Sequence, residues 1–284
     1  MSKRWTWGKV SLEARLLLIG IPVFLWTMIP IYHLFLFAIS SKDSATSGRL
    51  WPKQPTLQNF SIVLEQKHFY LNHFWQQLGN SLLIALAVGA ITLFVATTAA
   101  FAISRLKVQG GRSVMNLALF TYFIPAAFLA VPMYKTMANY GLLNSRWSLV
   151  LAMVTIASPY CIWVLKQASD KLPWELDEAA RMDGAGPMRF FIDILLPLTR
   201  TSIAALFVIQ FIYGWNQYLW PLLMSTEERM YPIVMGIRSM TAGADSQVQW
   251  NLVMATAILA MLPPALVVVL MQKWFVKGLV DTEK

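Results

Sequence analysis

Six long stretches without a charged side chain set the strongest limit on how this chain can fold. Each stretch is 19 to 24 residues long and contains no Asp, Glu, Lys or Arg. A transmembrane helix needs about 20 predominantly apolar residues to cross a bilayer. The whole chain is 57% hydrophobic and 13% charged over 284 residues, which is too apolar for an ordinary soluble domain. The sequence therefore predicts an all-α integral membrane protein with six transmembrane helices, at residues 16–39, 81–103, 114–134, 147–165, 202–224 and 252–272.

Positive charge is unevenly divided between the segments that connect these stretches. Six spans place both termini on one side of the membrane, so the connecting segments fall into two groups. The group that includes the termini holds 15 Lys and Arg, whereas the opposite group holds 8 over a slightly longer stretch. Because cytoplasmic segments carry the excess of Lys and Arg, both termini and the 166–201 loop are predicted to be cytoplasmic. The predicted domains are an N-terminal segment at 1–15, a six-helix transmembrane domain at 16–272 and a C-terminal tail at 273–284.

The composition excludes several other classes of protein. The net charge is +9, but the basic residues flank apolar spans, where they set topology and meet anionic membrane lipid. No nucleic-acid partner is expected. Cys161 is the single cysteine and lies in the fourth span, so the chain offers no internal disulfide or thiolate metal cluster. The sequence contains no catalytic triad or metal-ligand cluster, and neither a catalytic site nor a metal site is expected.

Small residues form a stripe along the second predicted span. Ala85 and Gly89 are four residues apart, and Thr92, Ala96 and Ala100 continue the stripe. Small side chains let helix backbones approach closely inside a membrane. The stripe predicts tight helix packing, including packing against a partner subunit.

The 166–201 loop contains signals for a helix of its own. Pro173 fits the first helical turn, and the acidic residues that follow complement the positive end of the helix dipole. Asp177 and Arg181 are four residues apart and are expected to pair on the exposed face. Gly184 can adopt the left-handed conformation that ends a helix.

A second short helix is predicted in the same loop. It is expected to begin at Pro187 and to end before Pro197 and the fifth span. The two helices together predict a helix-turn-helix elbow that lies on the membrane surface. The less specific interpretation is an amphipathic loop that only joins two spans.

The spacing of residues in this elbow carries the most specific signal in the sequence. Glu178-Ala179-Ala180 is followed after three residues by Gly184, and after nine more by Ile194, Leu195, Leu196 and Pro197. This pattern resembles the E-A-A-x3-G-x9-I-x-L-P signature of permease subunits of ATP-binding-cassette (ABC) importers. The resemblance implies the type I permease fold, in which the elbow is a coupling helix that docks on an ATPase. The ATPase-coupling residues that it implies are Glu178, Ala179, Ala180, Asp183, Gly184, Ile194 and Pro197.

Three further segments resemble the carbohydrate-uptake group of these permeases. They are residues 188–191, the aromatic-rich run at 211–221 and the C-terminal run at 275–284. Within that group the chain looks like permeases of glycerol-3-phosphate importers. The resemblance implies import of sn-glycerol-3-phosphate or of glycerophosphodiesters, and a sugar such as a disaccharide is the alternative substrate.

The resemblance also implies a set of partners. They are a second permease subunit in a heterodimer, two copies of an ABC ATPase and a periplasmic solute-binding protein, assembled at the inner membrane of a bacterium. The sequence has no G-x-x-x-x-G-K-[ST] loop for nucleotide phosphates. ATP and Mg²⁺ are therefore expected on the partner ATPase, this chain is expected to bind no cofactor, and it is not expected to be an enzyme.

Polar residues inside the spans are candidates for the translocation pathway. Intramembrane amides also hold helices together, so a packing role is an equal alternative for each of them. An ion-coupled secondary transporter is the alternative of a different class, but coupling-ion sites often use intramembrane carboxylates, which the six stretches lack. The candidate pathway residues are Tyr213, Asn216 and Gln217 in the fifth span and Asn116, Thr121 and Tyr122 in the third.

Overall fold

The protein is all helical over the residues that the structure describes. The structure is a computed structural model, and it describes residues 7–42, 48–241 and 248–281. The predicted all-α class is confirmed over these ranges. The helices are α1 Trp7–Ala38, α2 Gln58–Leu64, α3 Phe74–Ser104, α4 Gly111–Phe120, α5 Ala126–Asn139, α6 Arg146–Asp170, α7 Glu175–Met182, α8 Pro187–Phe190, α9 Leu196–Trp215, α10 Leu219–Met224, α11 Ile233–Ser239 and α12 Trp250–Asp281.

Five helical segments of the described chain are long and apolar enough to cross a membrane, and a sixth candidate is a bent pair. The five contain α1, α3, α6, α9 and α12. The pair joins Gly111–Phe123 to Ala126–Asn139 through a bend of 111°. The predicted number of six spans holds when this pair counts as one span.

The third predicted span is broken into two helices, and Pro125 provides the physical reason. Pro125 has no backbone N–H to continue the helical ladder. It also disfavours helical geometry in the preceding residue, and Ile124 is extended, with φ −89° and ψ 117°. The chain therefore leaves α4 and starts again as α5, in a new direction.

The fifth predicted span is also displaced along the sequence. The helical segment runs from Pro187 to Trp215, and within the rest of the predicted window Leu219–Met224 forms the separate helix α10. The expected helix end before Pro197 was wrong as well. A π-helical turn at Phe191–Leu195 connects α8 to α9, and Pro197 lies in the first turn of α9. Proline is tolerated in a first helical turn, where an N–H has no partner in the helix.

The described residues of 1–72 and 240–259 form one compact unit. Its centre is the buried amide of Asn59, whose Nδ2 donates to the carbonyls of Ala38 at 2.7 Å and Ser40 at 2.8 Å. Asn251 Nδ2 donates in turn to Asn59 Oδ1 at 2.8 Å. The end of α1, the start of α2 and the start of α12 are thereby connected. The side chains of residues 1–13, 15 and 274–284 lie outside the described part, so the predicted terminal segments are described mainly as backbone of α1 from Trp7 and of α12 to Asp281.

The second unit consists of the described residues of 73–239 and 260–284, and α3, α6 and α9 lie at its centre. The small-residue stripe of α3 is buried there, and this confirms the predicted tight packing. A Cβ atom on Gly89 would lie 3.0 Å from the ring of Phe207 on α9. The stripe is therefore covered by helices of this chain, and the expectation that it packs against a partner subunit was wrong.

Candidate coupling surface and translocation residues

Helix α7 is the first helix of the predicted elbow, and its ends follow the local sequence signals. Three acidic residues occupy its first turn and Arg181 its last, as the helix dipole favours. Gly184 has φ +76°, and its N–H donates to the carbonyl of Arg181 at 3.0 Å while Ala185 N–H donates to that of Ala180 at 2.8 Å. These bonds close the helix through a left-handed residue, as predicted.

The motif residues divide between two faces of the elbow. Glu178, Ala179, Asp183 and Gly184 are exposed. Ala180 is only 5% exposed, because it packs into an apolar cluster of this chain. Ala180 thus packs α7 against the rest of this chain and does not face outward in this structure. This corrects its expected place in the surface that contacts the ATPase. The cluster comprises Phe101, Ala180, Phe190 and Leu195, with Ile194 partly buried at its edge, whereas Pro197 is exposed.

Arg105 is the residue of this region that sequence reasoning missed. It follows the last residue of α3 and is 5% exposed. Its Nη1 forms an ion pair with Oδ2 of Asp177 at 2.5 Å. The expected pairing of Asp177 with Arg181 on the exposed face was wrong, since Asp177 is 6% exposed and faces Arg105. In the sequence, Arg105 is only one of the basic residues of a short connector, and nothing local indicates a partner 72 residues away.

Cationic side chains also gather around Trp174, which directly precedes α7. The Lys107 Nζ atom lies 4.2 Å from the ring centroid. The guanidinium carbons of Arg105 and Arg181 lie 5.8 and 6.0 Å from the same ring. Such contacts stabilise a cation over an aromatic face, and they hold the entry of α7 against the connector after α3.

A cavity of about 70 Å³ lies beneath α7. Its lining includes Phe101, Arg105, Asp177 and Phe190. Binding pockets for small molecules occupy roughly 300 Å³ or more, so this cavity is too small for a solute. The elbow is a packed support with an exposed outer face.

The six candidate pathway residues do not share one element. Asn216 is exposed at the end of α9, and Gln217 follows it before α10. Tyr213 is partly buried and packs against the apolar cluster that contains Trp220. Asn116 is exposed on α4.

The remaining two candidates hold backbone around the bend between α4 and α5. Thr121 Oγ1 donates to the carbonyl of Ala118 at 2.6 Å. The Tyr122 hydroxyl donates to the carbonyl of Ile156 on α6 at 2.7 Å. Both side chains are otherwise exposed. A pathway role for these six residues stays a prediction.

A polar cluster at the start of α3 anchors the segment between α10 and α11. Asn80, 1% exposed, donates through Nδ2 to the carbonyls of Arg229 at 2.9 Å and Tyr231 at 3.1 Å. Its Oδ1 accepts from Arg146 Nε at 2.8 Å. Ser81 Oγ accepts from the N–H of Ile233 at 2.8 Å. Sequence reasoning missed this cluster, because its partners lie 66 to 152 residues apart in the sequence.

Comparison with known proteins identifies the family of this fold. Residues 96–281, which include Arg105 and the whole elbow, match the family described as binding-protein-dependent transport system inner membrane component. The chain belongs to this family. It is thus a permease subunit of an ABC importer and a multi-pass inner membrane protein, as the signature of the elbow predicted.

Curated relatives of this permease are glycerol-3-phosphate transport permeases. The chain is 40% identical over 275 residues to the sn-glycerol-3-phosphate transport system permease protein UgpE of Rhizobium meliloti, with 95% of each chain covered. It is 45% identical over 207 residues to UgpE of Brucella melitensis, with 73% of each covered. The expected resemblance to this group of permeases is confirmed.

Solved structures resemble the permease in fold. A chain of a bacterial ABC transporter for import of the acidic polysaccharide alginate superposes with a TM-score of 0.80 at 21% identity, covering 96% of this chain and all of the other. A chain from the alginate transporter in complex with a pentasaccharide-bound periplasmic protein gives a TM-score of 0.70 at 16% identity, covering 93% and 95%. These likenesses confirm the predicted permease fold.

Proposed function

We propose that this permease imports sn-glycerol-3-phosphate, or glycerophosphodiesters, in an ATP-driven complex. The observation that carries the proposal is the identity of 40 to 45% with UgpE proteins of several bacteria, over up to 95% of the chain. A sugar such as a disaccharide is the alternative substrate, because the aromatic-rich run at 211–221 resembles that of sugar permeases.

The complex contains this chain and a second permease as a heterodimer, two copies of an ABC ATPase and a periplasmic binding protein. ATP and Mg²⁺ bind to the ATPase, while this chain holds no nucleotide. Both termini and α7 face the cytoplasm, a topology that the distribution of Lys and Arg supports. The exposed face of α7, which carries Glu178, Ala179, Asp183 and Gly184, docks on the ATPase.

Transport follows from movement of the docked helix. ATP binding draws the two ATPases together, displaces α7 and opens the pathway to the outside, where the binding protein releases its solute. Hydrolysis and product release reverse the movement, so the solute leaves inward. No Lys or Arg lies within the six apolar stretches of this chain. The phosphate group is therefore recognised chiefly by the binding protein or by the second permease.

The experiment that tests this proposal is uptake into proteoliposomes that contain all four proteins. Labelled sn-glycerol-3-phosphate, glycerophosphocholine and maltose are offered separately, with ATP inside or absent. The expected result is ATP-dependent uptake of one or both phosphate esters and none of maltose. Liposomes that contain an ATPase variant unable to hydrolyse ATP provide the control.

The other outcomes separate the alternatives. Uptake of maltose alone would replace the substrate by a disaccharide and leave the class of transporter intact. Uptake of any solute without ATP, driven by an ion gradient, would contradict the ATP-driven mechanism in favour of a secondary transporter.

A further inference from the structure

Arg105 joins three segments at the base of the elbow. Beyond its ion pair with Asp177 of α7, Arg105 Nη2 donates to the carbonyl of Leu172 at 3.0 Å and to that of Ser169. Arg105 Nε donates to Ser169 Oγ at 3.2 Å. The end of α3, the end of α6 and the first turn of α7 therefore meet at one side chain that is shielded from water.

The residue type fits this position. Arginine presents several N–H groups in a fixed planar fork, whereas lysine has one compact ammonium. Directional, charge-assisted hydrogen bonds fix both distance and orientation. Ala180 also packs against Phe101 and Phe190 nearby. This contact is apolar and not directional, so it does not fix the orientation of α7. Arg105 thus fixes the orientation of α7 relative to α3.

Helix α3 in turn is packed closely on the centre of the second unit. Phe207 of α9 lies against Gly89 of α3, and the backbone of Ala85 lies against Gly214. Interiors packed this closely transmit displacement with little compression. A displacement of α7 that reaches α3 therefore also reaches α9, which ends beside Asn216.

We propose that Arg105 is a positioning residue for energy coupling: it fixes α7 to α3, so that α7 and the packed helices move as one body. This inference rests on the proposed function, because movement of α7 has a consequence only when an ATPase docks there. Asp177 acts as the counter-charge and is buried, whereas the neighbouring Glu178 is exposed.

The test removes both charges together. A single buried charge left without its partner destabilises a fold strongly, whereas replacement of the whole pair by apolar side chains is often neutral. The variant is Arg105→Met with Asp177→Leu. The matched control is Lys166→Met with Asp170→Leu. Lys166 and Asp170 also form an ion pair, in which the lysine is buried and the aspartate is 37% exposed. Both residues belong to α6, so their ion pair joins no second helix.

The measurement is solute uptake per ATP hydrolysed, in proteoliposomes with equal amounts of assembled complex. For Arg105→Met with Asp177→Leu, uptake per ATP is expected to fall about tenfold, within the range typical for loss of coupling between two sites. Copurification of the ATPase is expected to persist, because the exposed face of α7 is unchanged. The control is expected to keep the wild-type ratio.

An unchanged ratio in the Arg105 and Asp177 variant would overturn the proposal. A similar fall in both variants would also overturn it, since the effect would then follow from loss of any ion pair that contains a buried cation. If the double variant does not assemble, Arg105→Lys is tested instead, because it keeps a cation opposite Asp177 but removes the planar fork that binds Ser169 and Leu172. A lowered ratio at normal assembly supports the proposal, and a wild-type ratio contradicts it.

Failure of the proposed function is recognised separately. In that case the wild-type complex itself shows no ATP-driven uptake, whatever residue occupies position 105.

Discussion

Gly214 of α9 lies against the backbone of Ala85 of α3, and a Cβ atom on Gly214 would be only 3.0 Å from the Ala85 Cα atom. The obstacle is backbone of the central helix, which cannot rotate away as a flexible side chain would. The same Cβ would also lie 3.4 Å from Val88 Cβ. This contact brings α3 and α9 together at the point where α9 ends, close to Asn216.

Substitution of Gly214 by alanine is expected to destabilise the permease. Extra volume in a packed interior typically costs about 1 to 3 kcal/mol, so the midpoint of thermal unfolding in detergent should fall. Gly79→Ala in α3 is the control, because nothing lies within 4 Å of a Cβ atom there. A fall that is equal in the two variants would contradict the predicted steric conflict.

Charge reversal at Glu178 is expected to abolish uptake and to leave the protein in the membrane. Glu178 is exposed, and a surface substitution typically changes stability by no more than about 0.5 kcal/mol. Glu178→Lys is compared with Glu175→Lys, which makes the same change in the first turn of α7 outside the motif. The measurements are membrane level, ATPase copurification and uptake. Normal copurification together with normal uptake in Glu178→Lys would remove Glu178 from the coupling surface.

Removal of the Asn80 amide is expected to release the segment between α10 and α11. Asn80→Ala leaves buried polar groups without partners, at a typical cost of about 1 to 3 kcal/mol. Arg229, whose carbonyl Asn80 binds, should then be cleaved faster by trypsin in intact membranes. Gln76→Ala changes an exposed side chain of the same helix and should leave the rate unchanged. Equal cleavage rates for all three proteins would show that Asn80 does not anchor the segment.

A cysteine at position 216 is expected to react with a small charged thiol reagent, because Asn216 is exposed and is predicted to face the pathway. The background is low, since the single native cysteine, Cys161, is fully buried. Ile209→Cys, also exposed on α9, is expected to face lipid and to stay unlabelled. The measurement is labelling in membranes with and without ATP. Absence of labelling at position 216 in both conditions would exclude Asn216 from an aqueous pathway.

Stability is expected to depend on pH through His68. Burial, and secondly the charge of Lys42, lower the pKa of His68 below its ordinary value of 6.5. In the unfolded chain the imidazole regains that value, so the unfolded state binds the proton more readily. The contribution of His68 to the stability of the folded state is complete above pH 6.5. It is lost as the pH falls through the lower pKa of the folded state. When the pH is lowered from about 7.5 to 5.5, the midpoint of thermal unfolding should fall more in the wild type than in His68→Gln. Parallel pH profiles of the two proteins would contradict this assignment to His68.

Much of the fold could be predicted because the signals are local. Charge-free stretches of sufficient length indicate spans, and Gly184 ends α7 as its flexibility allows. Pro125 shows the limit of such signals. A proline inside a span is compatible both with a kink and with a complete break, and the choice depends on the helices around it. Pro197 was misjudged for a related reason, since it lies in the first turn of α9, where a missing N–H is tolerated.

The sequence by itself determined the class of this protein: a helical membrane permease with a coupling elbow, marked by uncharged stretches and by one motif of fixed spacing. Only the tertiary structure decided which faces are buried. It turned Ala180 inward, covered the stripe of α3 with helices of the same chain, and paired Asp177 with Arg105 instead of Arg181. The physical reason is that spans and helix ends depend on neighbours within a few residues, whereas the partner of a buried charge is set by packing between helices that are distant in the sequence.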